Sequence, residues 1–166
     1  MWRDPALHPL SHQHQHGLAL CVLIDRGLKA DPSEEKAREL QTMVAAAWKN
    51  ELRAHFAVEE ETLFPAVRER VEGTALIDEL IAEHRELEAR VVRVRDAVAT
   101  ELAERLKELG DLLTSHIRTE ERRLFEEVQA ALSTDEIAEL GRTIDEQVVR
   151  ICPITARLPW EAESGS

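Results

Sequence analysis

The stretch HFAVEEETLFPAV, residues 55–67, recurs with changes as HIRTEERRLFEEV, residues 116–128. The two copies share a frame in which His55/His116, Glu59/Glu120, Glu60/Glu121, Leu63/Leu124, Phe64/Phe125 and Val67/Val128 correspond. Leu52 and Leu113 extend it upstream at equal offset. On a helix, a His and a Glu four residues apart lie one turn apart on one face. Leu63 and Leu124 continue that face, so it is the apolar one. Two imidazoles and two carboxylates therefore point into a core. Such groups are costly to bury alone, and a shared metal ion is the usual way to satisfy them.

Outward from this repeat, the chain reads as helix throughout. Residues 1–8 read as an arm. A first helix starts near Pro9, with Leu10, His14, Leu18 and Cys21 at helical spacing, and ends at Gly27 and the stretch to Ser33. A second runs from about Glu34 to about Val71, with Pro65 expected to kink it or loosen its last turn. After a break at Gly73 and Thr74, a third carries Ile77, Leu80, His84, Leu87, Glu88, Val91 and Val94 along one side. A weak break over Asp96 to Thr100 precedes a fourth, which carries Leu106, Leu113, His116, Glu120 and Leu124. Ser133-Thr134-Asp135-Glu136 looks like the start of a shorter fifth helix ending before Pro153. The expected architecture is all-α: an antiparallel up-down four-helix bundle over 7–131, a C-terminal helix over 133–151 packed on it, and a flexible tail over 152–166 in which Trp160 can dock.

Bulk properties bound the function. A chain of 166 residues suits one domain with a self-sufficient core. The net charge of −12 argues against nucleic-acid backbones and anionic membranes as partners. The N-terminus has no long apolar run, and Leu18 to Ile24 is far too short to span a bilayer. Cys21 reads as a small core residue, and nothing requires it to pair with Cys152, so a reducing cytoplasm is the default location.

A weaker repeat links the first and third helices. Leu10-Ser-His-Gln-His14 resembles Leu80-Ile-Ala-Glu-His84, with Gln13 or Glu83 just before the histidine. Each long helix thus supplies one inward imidazole: His14, His55, His84 and His116. His14 is in phase with Leu10, Leu18 and Cys21, whereas His12 and His16 are not and read as exposed or supporting. Glu59, Glu88 and Glu120 each follow a histidine by one turn. Glu88 is counted with the ligands, the competing reading being a surface charge paired with Arg85. Glu60 and Glu121 read as solvated charges. This pseudo-two-fold pattern suits two ions bridged by two carboxylates, and the donors fit iron, manganese or zinc. A ferritin-like Glu-x-x-His site is disfavoured, since Leu52, Ile81 and Leu113 stand three before the histidines.

Together, Leu10-Ser11-x-x-His14, His55 to Pro65, Glu83-His84 and His116 to Phe125 resemble the hemerythrin-like, or HHE cation-binding, domains over about residues 7–130. The resemblance implies an oxo- or hydroxo-bridged di-iron centre in a four-helix bundle. It implies ligand roles for His14, His55, His84 and His116, with Glu59 and Glu120 as bridges. Two departures separate the chain from the oxygen carriers of that family. Glu88 stands where they place a second histidine, and His116 and Glu120 are four apart where they space His and Asp by five. Both match the broader bacterial HHE group. The expected function is binding of dioxygen or a related small molecule, nitric oxide or peroxide, for sensing, redox defence or iron handling. The alternatives are a di-iron oxidoreductase acting on peroxide or nitric oxide, an iron-responsive interaction module, and a bundle whose buried polar groups are structural.

Overall fold

The computed structural model describes residues 2–71 and 74–151. Among them every regular element is helical and no strand occurs. A short 3-10 turn, Pro5–Leu7, leads into α1 (His8–Ala30). Helix α2 spans 34–67 and is α-helical over Glu34–Ala47, Arg53–Val58 and Phe64–Val67. Wide π-type turns at Trp48–Leu52 and Glu59–Leu63 separate those pieces. Helix α3 is Thr74–Asp96. Helix α4 spans 99–131, with a wide turn at Glu120–Leu124 between Ala99–Thr119 and Phe125–Ala131. Helix α5 is Thr134–Ile151.

Local chemistry sets these boundaries. Ser33 caps α2 by accepting from the Lys36 N–H, with Glu34 and Glu35 in the positive first turn. At the start of α5, Ser133 and Glu136 each accept from the other's backbone N–H, a reciprocal capping box. The break expected between the third and fourth helices is only residues 97–98. Cys152, Trp160 and the tail lie outside the described residues, as does Gly73.

Contacts between neighbouring helices pair rising with falling residue numbers. Gln13 and Gly27 of α1 meet His55 and Leu40 of α2. Gln41 and Glu60 of α2 meet Val94 and His84 of α3. Arg90 and Glu83 of α3 meet Glu108 and His116 of α4. Gly17 and Ile24 of α1 lie against Ile117 and Gly110 of α4. The interior falls into two apolar halves. One gathers Leu20, Ile24, Leu40, Phe56, Leu87, Leu106 and Leu113. The other gathers Leu10, Leu63, Phe64, Leu80, Phe125 and Ile144. Helix α5 closes the second half with Leu140, Ile144 and Val148.

The segment expected to be an arm is docked instead. Asp4 caps the Pro5–Leu7 turn, and Leu7 is fully buried. The Arg3 guanidinium donates to the Glu121 carboxylate at 2.7 Å and lies 4.9 Å over the Phe125 ring. Gln129 accepts the Asp4 N–H. Apolar burial of Leu7 and the ionic grip on Arg3 together outweigh the entropy of a free terminus.

Gly141 of α5 makes that docking possible. A Cβ there would come within 2.7 Å of Ala6 Cβ and 2.9 Å of Ala6 Cα. Gly141→Ala should therefore destabilise the protein by about 1–3 kcal/mol through overpacking, despite its better helix propensity. Denaturant unfolding measures this. Equal or higher stability would show that the turn does not sit against α5.

Candidate metal centre

Between the two apolar halves lie six titratable residues that are almost inaccessible, with Gln13 buried beside them. His14 and His55 are 2% exposed, and Glu59, His84, His116 and Glu120 are 0% exposed. Four histidines and two glutamates come from four helices, one histidine each. His55 and Glu59 share α2, His116 and Glu120 share α4, and α1 and α3 contribute His14 and His84.

Each glutamate follows its histidine by an ordinary helical turn and is itself followed by a wide one. One wide turn begins at Glu59 and the other at Glu120, the same point in both repeats. Each closes with an N–H donated across five residues, Phe64 to Glu59 and Phe125 to Glu120. The extra residue lets Leu63 and Phe64, or Leu124 and Phe125, both reach the core while the preceding glutamate stays on the site. Pro65 is not the cause, because the second copy has Glu126 in its place and the same turn.

The carboxylates face two ways. Glu59 presents Oε1 to His55 Nε2 at 3.2 Å and to His14 Nε2 at 3.5 Å, and Oε2 to His84 Nε2 at 3.3 Å. Glu120 presents Oε2 to His14 Nε2 at 3.1 Å, and Oε1 to His116 and His84 at 3.3 and 3.9 Å. Two pockets result, His14–His55–Glu59–Glu120 and Glu59–His84–His116–Glu120, each with donor atoms within 4.8 Å of one another. None of the four Nε2 atoms or the four carboxylate oxygens makes a hydrogen bond. Buried atoms of this kind are rarely left unmatched. Imidazole nitrogens and carboxylate oxygens converging this way fit a pair of cations sharing both glutamates.

Each imidazole is held from behind through its other nitrogen. His14 Nδ1–H donates to Glu121 at 2.7 Å, His55 to Gln13 at 2.7 Å, His84 to Glu60 at 2.8 Å and His116 to Glu83 at 2.7 Å. Those bonds fix the tautomer that keeps a proton on Nδ1, the form in which Nε2 can offer its lone pair inward to a cation. They run α1 to α4, α4 to α3, α3 to α2 and α2 to α1, a closed circuit around the site. Aromatic faces fill the rest. Phe56 stacks on His84 at 4.0 Å, Phe64 on His84 at 5.6 Å, and Phe125 on His14 at 5.4 Å.

Two sequence-based assignments are corrected here. Glu88 is exposed and joins neither pocket. The buried stripe of α3 steps from His84 to Leu87, which leaves Glu88 outside near the Arg85 charge. Glu60 and Glu121 are not simple solvated charges. They accept from His84 and His14, and Arg85, Arg3 and Ser11 grip them in turn. The doubled acidic pair in both repeats, Glu59-Glu60 and Glu120-Glu121, was the signal for this role. His14, rather than His12 or His16, is the α1 histidine of the group. His16 instead faces Glu51 at 3.0 Å, and His12 packs against its ring.

Charge in this site is strongly coupled. Burial pushes Glu120 up, as does Glu59, but His116 and His14 outweigh them and hold it at about 2. Burial likewise raises Glu59, yet His55, His14 and His84 leave it well below the usual carboxylate value. Burial lowers His116, and Glu120 and Glu83 carry it up to about 10. His14 is raised for the same reasons. Chelator-treated protein should therefore be most stable between two limits. Glu120 contributes stability above its usual 4.5 that is lost as pH falls toward 2. His116 contributes stability below its usual 6.5 that is lost as pH rises through 10. Denaturant unfolding across this range tests both arms, and a flat profile would mean that the cluster does not couple to folding.

Comparison with known proteins supplies one relative and one family. A DNA nickase from Nostoc sp. is 32% identical over 88 residues, which cover 52% of this chain and 25% of the nickase. The chain thus matches about a quarter of that protein's length. No solved structure matches the chain. The model of the hemerythrin HHE cation binding domain matches residues 6–128, a span that holds all six buried polar residues of the site. With that match over most of its length, the chain belongs to the hemerythrin HHE cation binding domain family.

Proposed function

We propose that the chain is a non-haem di-iron protein that binds dioxygen or a related small molecule, nitric oxide or peroxide. The architecture proposed with it is an antiparallel up-down four-helix bundle, capped at one end by α5. The observation that carries the reading is the pair of buried pockets whose inward-facing donor atoms lack hydrogen-bond partners. His14 and His55 would hold one ion, His84 and His116 the other, and Glu59 and Glu120 would bridge them. Iron bound there supplies an open coordination position and electrons for a small ligand.

The chain's own residues set the conditions. Each pocket offers four protein donor atoms, fewer than an octahedral ion accepts, which leaves room for an external ligand. The phenylalanine faces and the leucines of both apolar halves exclude bulk water. Small apolar molecules cross such walls more readily than large polar substrates, since the donor residues are at most 2% exposed. Among the described residues no helix is long and apolar enough to cross a membrane. A net charge of −12 works against a DNA backbone, so the nickase's activity is not carried over to this chain. A reducing cytoplasm is the proposed setting.

Protein expressed with iron and purified without a His-tag should carry close to two iron ions per chain, one for each pocket. A clean single equivalent of zinc would sink the di-iron reading. Glu59→Ala and Glu120→Ala should each lose both ions and lower the melting temperature, because each carboxylate faces both pockets. Glu88→Ala, His12→Ala and His16→Ala should keep both. Reductant-driven turnover of peroxide or nitric oxide would move the assignment from binder to enzyme.

A further inference from the structure

The four groups that hold the imidazoles from behind divide unevenly between the pockets. His84 and His116 donate to Glu60 and Glu83, two carboxylates. His14 and His55 donate to Glu121 and Gln13, one carboxylate and one amide. Glu60 and Glu121 are both charged and each is gripped by an arginine, Arg85 and Arg3, while Ser11 donates a further bond to the Glu121 oxygen behind His14 and so draws on its charge. The inequality in formal charge therefore lies in one pair of equivalent positions. Gln13 and Glu83 each precede the histidine of their own helix, and each accepts Nδ1–H from the next helix at 2.7 Å.

An amide and a carboxylate orient an imidazole equally well, but only the carboxylate adds negative charge behind it. That charge strengthens the Nε2 lone pair and offsets the charge of a bound cation in a poorly solvated core. We propose that Gln13 makes the His14–His55 pocket the weaker of the two, so the His84–His116 pocket binds a divalent cation first and releases it last. This rests on the metal centre proposed above. The pockets share Glu59 and Glu120, so a first ion already claims charge that a second needs. Loading then proceeds in two steps, and the Gln13–Glu83 difference decides which pocket takes the first.

The test uses the full chain labelled with 15N-histidine, with its ring signals assigned by single histidine variants, and titrated with Zn2+ as a diamagnetic probe. Through the first equivalent, the His84 and His116 ring nitrogens should shift, and those of His14 and His55 should follow with an affinity about 10- to 100-fold lower. Gln13→Glu should bring the two steps together, and Glu83→Gln should weaken the first step by a similar factor. Calorimetry with Fe2+ under anaerobic conditions should show the same two steps and the same response to both variants. Simultaneous shifts in the unaltered chain, or His14 and His55 shifting first, overturn the inference while two bound equivalents leave the metal centre standing. The unaltered chain decides this even if Gln13→Glu folds poorly. Absence of any binding would remove the metal centre and this inference together.

Discussion

Everything in this fold answers to two carboxylates with no access to water. Glu59 and Glu120 are fully buried in the middle of the helices, and an uncompensated buried carboxylate costs several kcal/mol. Four imidazoles, one from each of four helices, surround them. Each imidazole must itself be held, and its partner comes from a neighbouring helix. The rotation of every long helix about its axis is thereby set by this centre, while the leucine stripes above and below it fix only which side faces in. An apolar core alone tolerates small rotations with repacking. A circuit of hydrogen bonds at 2.7–2.8 Å does not.

The repeat in the sequence carried the inner layer well. His55, Glu59, His116 and Glu120 were legible because identical spacing on two helices leaves one face in common. His14 and His84 followed from phase with neighbouring leucines. The outer layer was harder to see. Glu60, Glu121 and Glu83 are each about a fifth to a quarter exposed. Their partners lie 24 to 107 residues away in the chain. Periodicity within one helix reports which side is apolar and says nothing about what a flanking side chain meets on the next helix.

Glu88 shows the limit of a spacing rule. It stands four after His84, as Glu59 does after His55, yet only the latter is buried. The step from histidine to glutamate is an ordinary helical turn in α2 and α4, so the difference is how each helix faces the core, and the buried stripe of α3 runs from His84 to Leu87 and leaves Glu88 outside. A five-residue turn leaves no compositional mark, since it forms wherever the tertiary environment rewards the extra residue. Pro65 suggested an irregularity near the right place for the wrong reason. The N-terminal segment was misjudged in the same way, because its anchor, Arg3 on Glu121, depends on a residue 118 positions along the chain.

The circuit of imidazole bonds also has a kinetic meaning. Two of its links close within helical hairpins, His55 to Gln13 between α1 and α2 and His116 to Glu83 between α3 and α4. The other two, His14 to Glu121 and His84 to Glu60, sew one hairpin to the other. Each pocket takes both histidines from one hairpin and a carboxylate from each. A hairpin that folds alone therefore assembles half a cage, and the cage shuts only when the hairpins dock. Parting of the hairpins, a sub-global opening of the bundle, would take one carboxylate away from each pocket's histidines at the same moment.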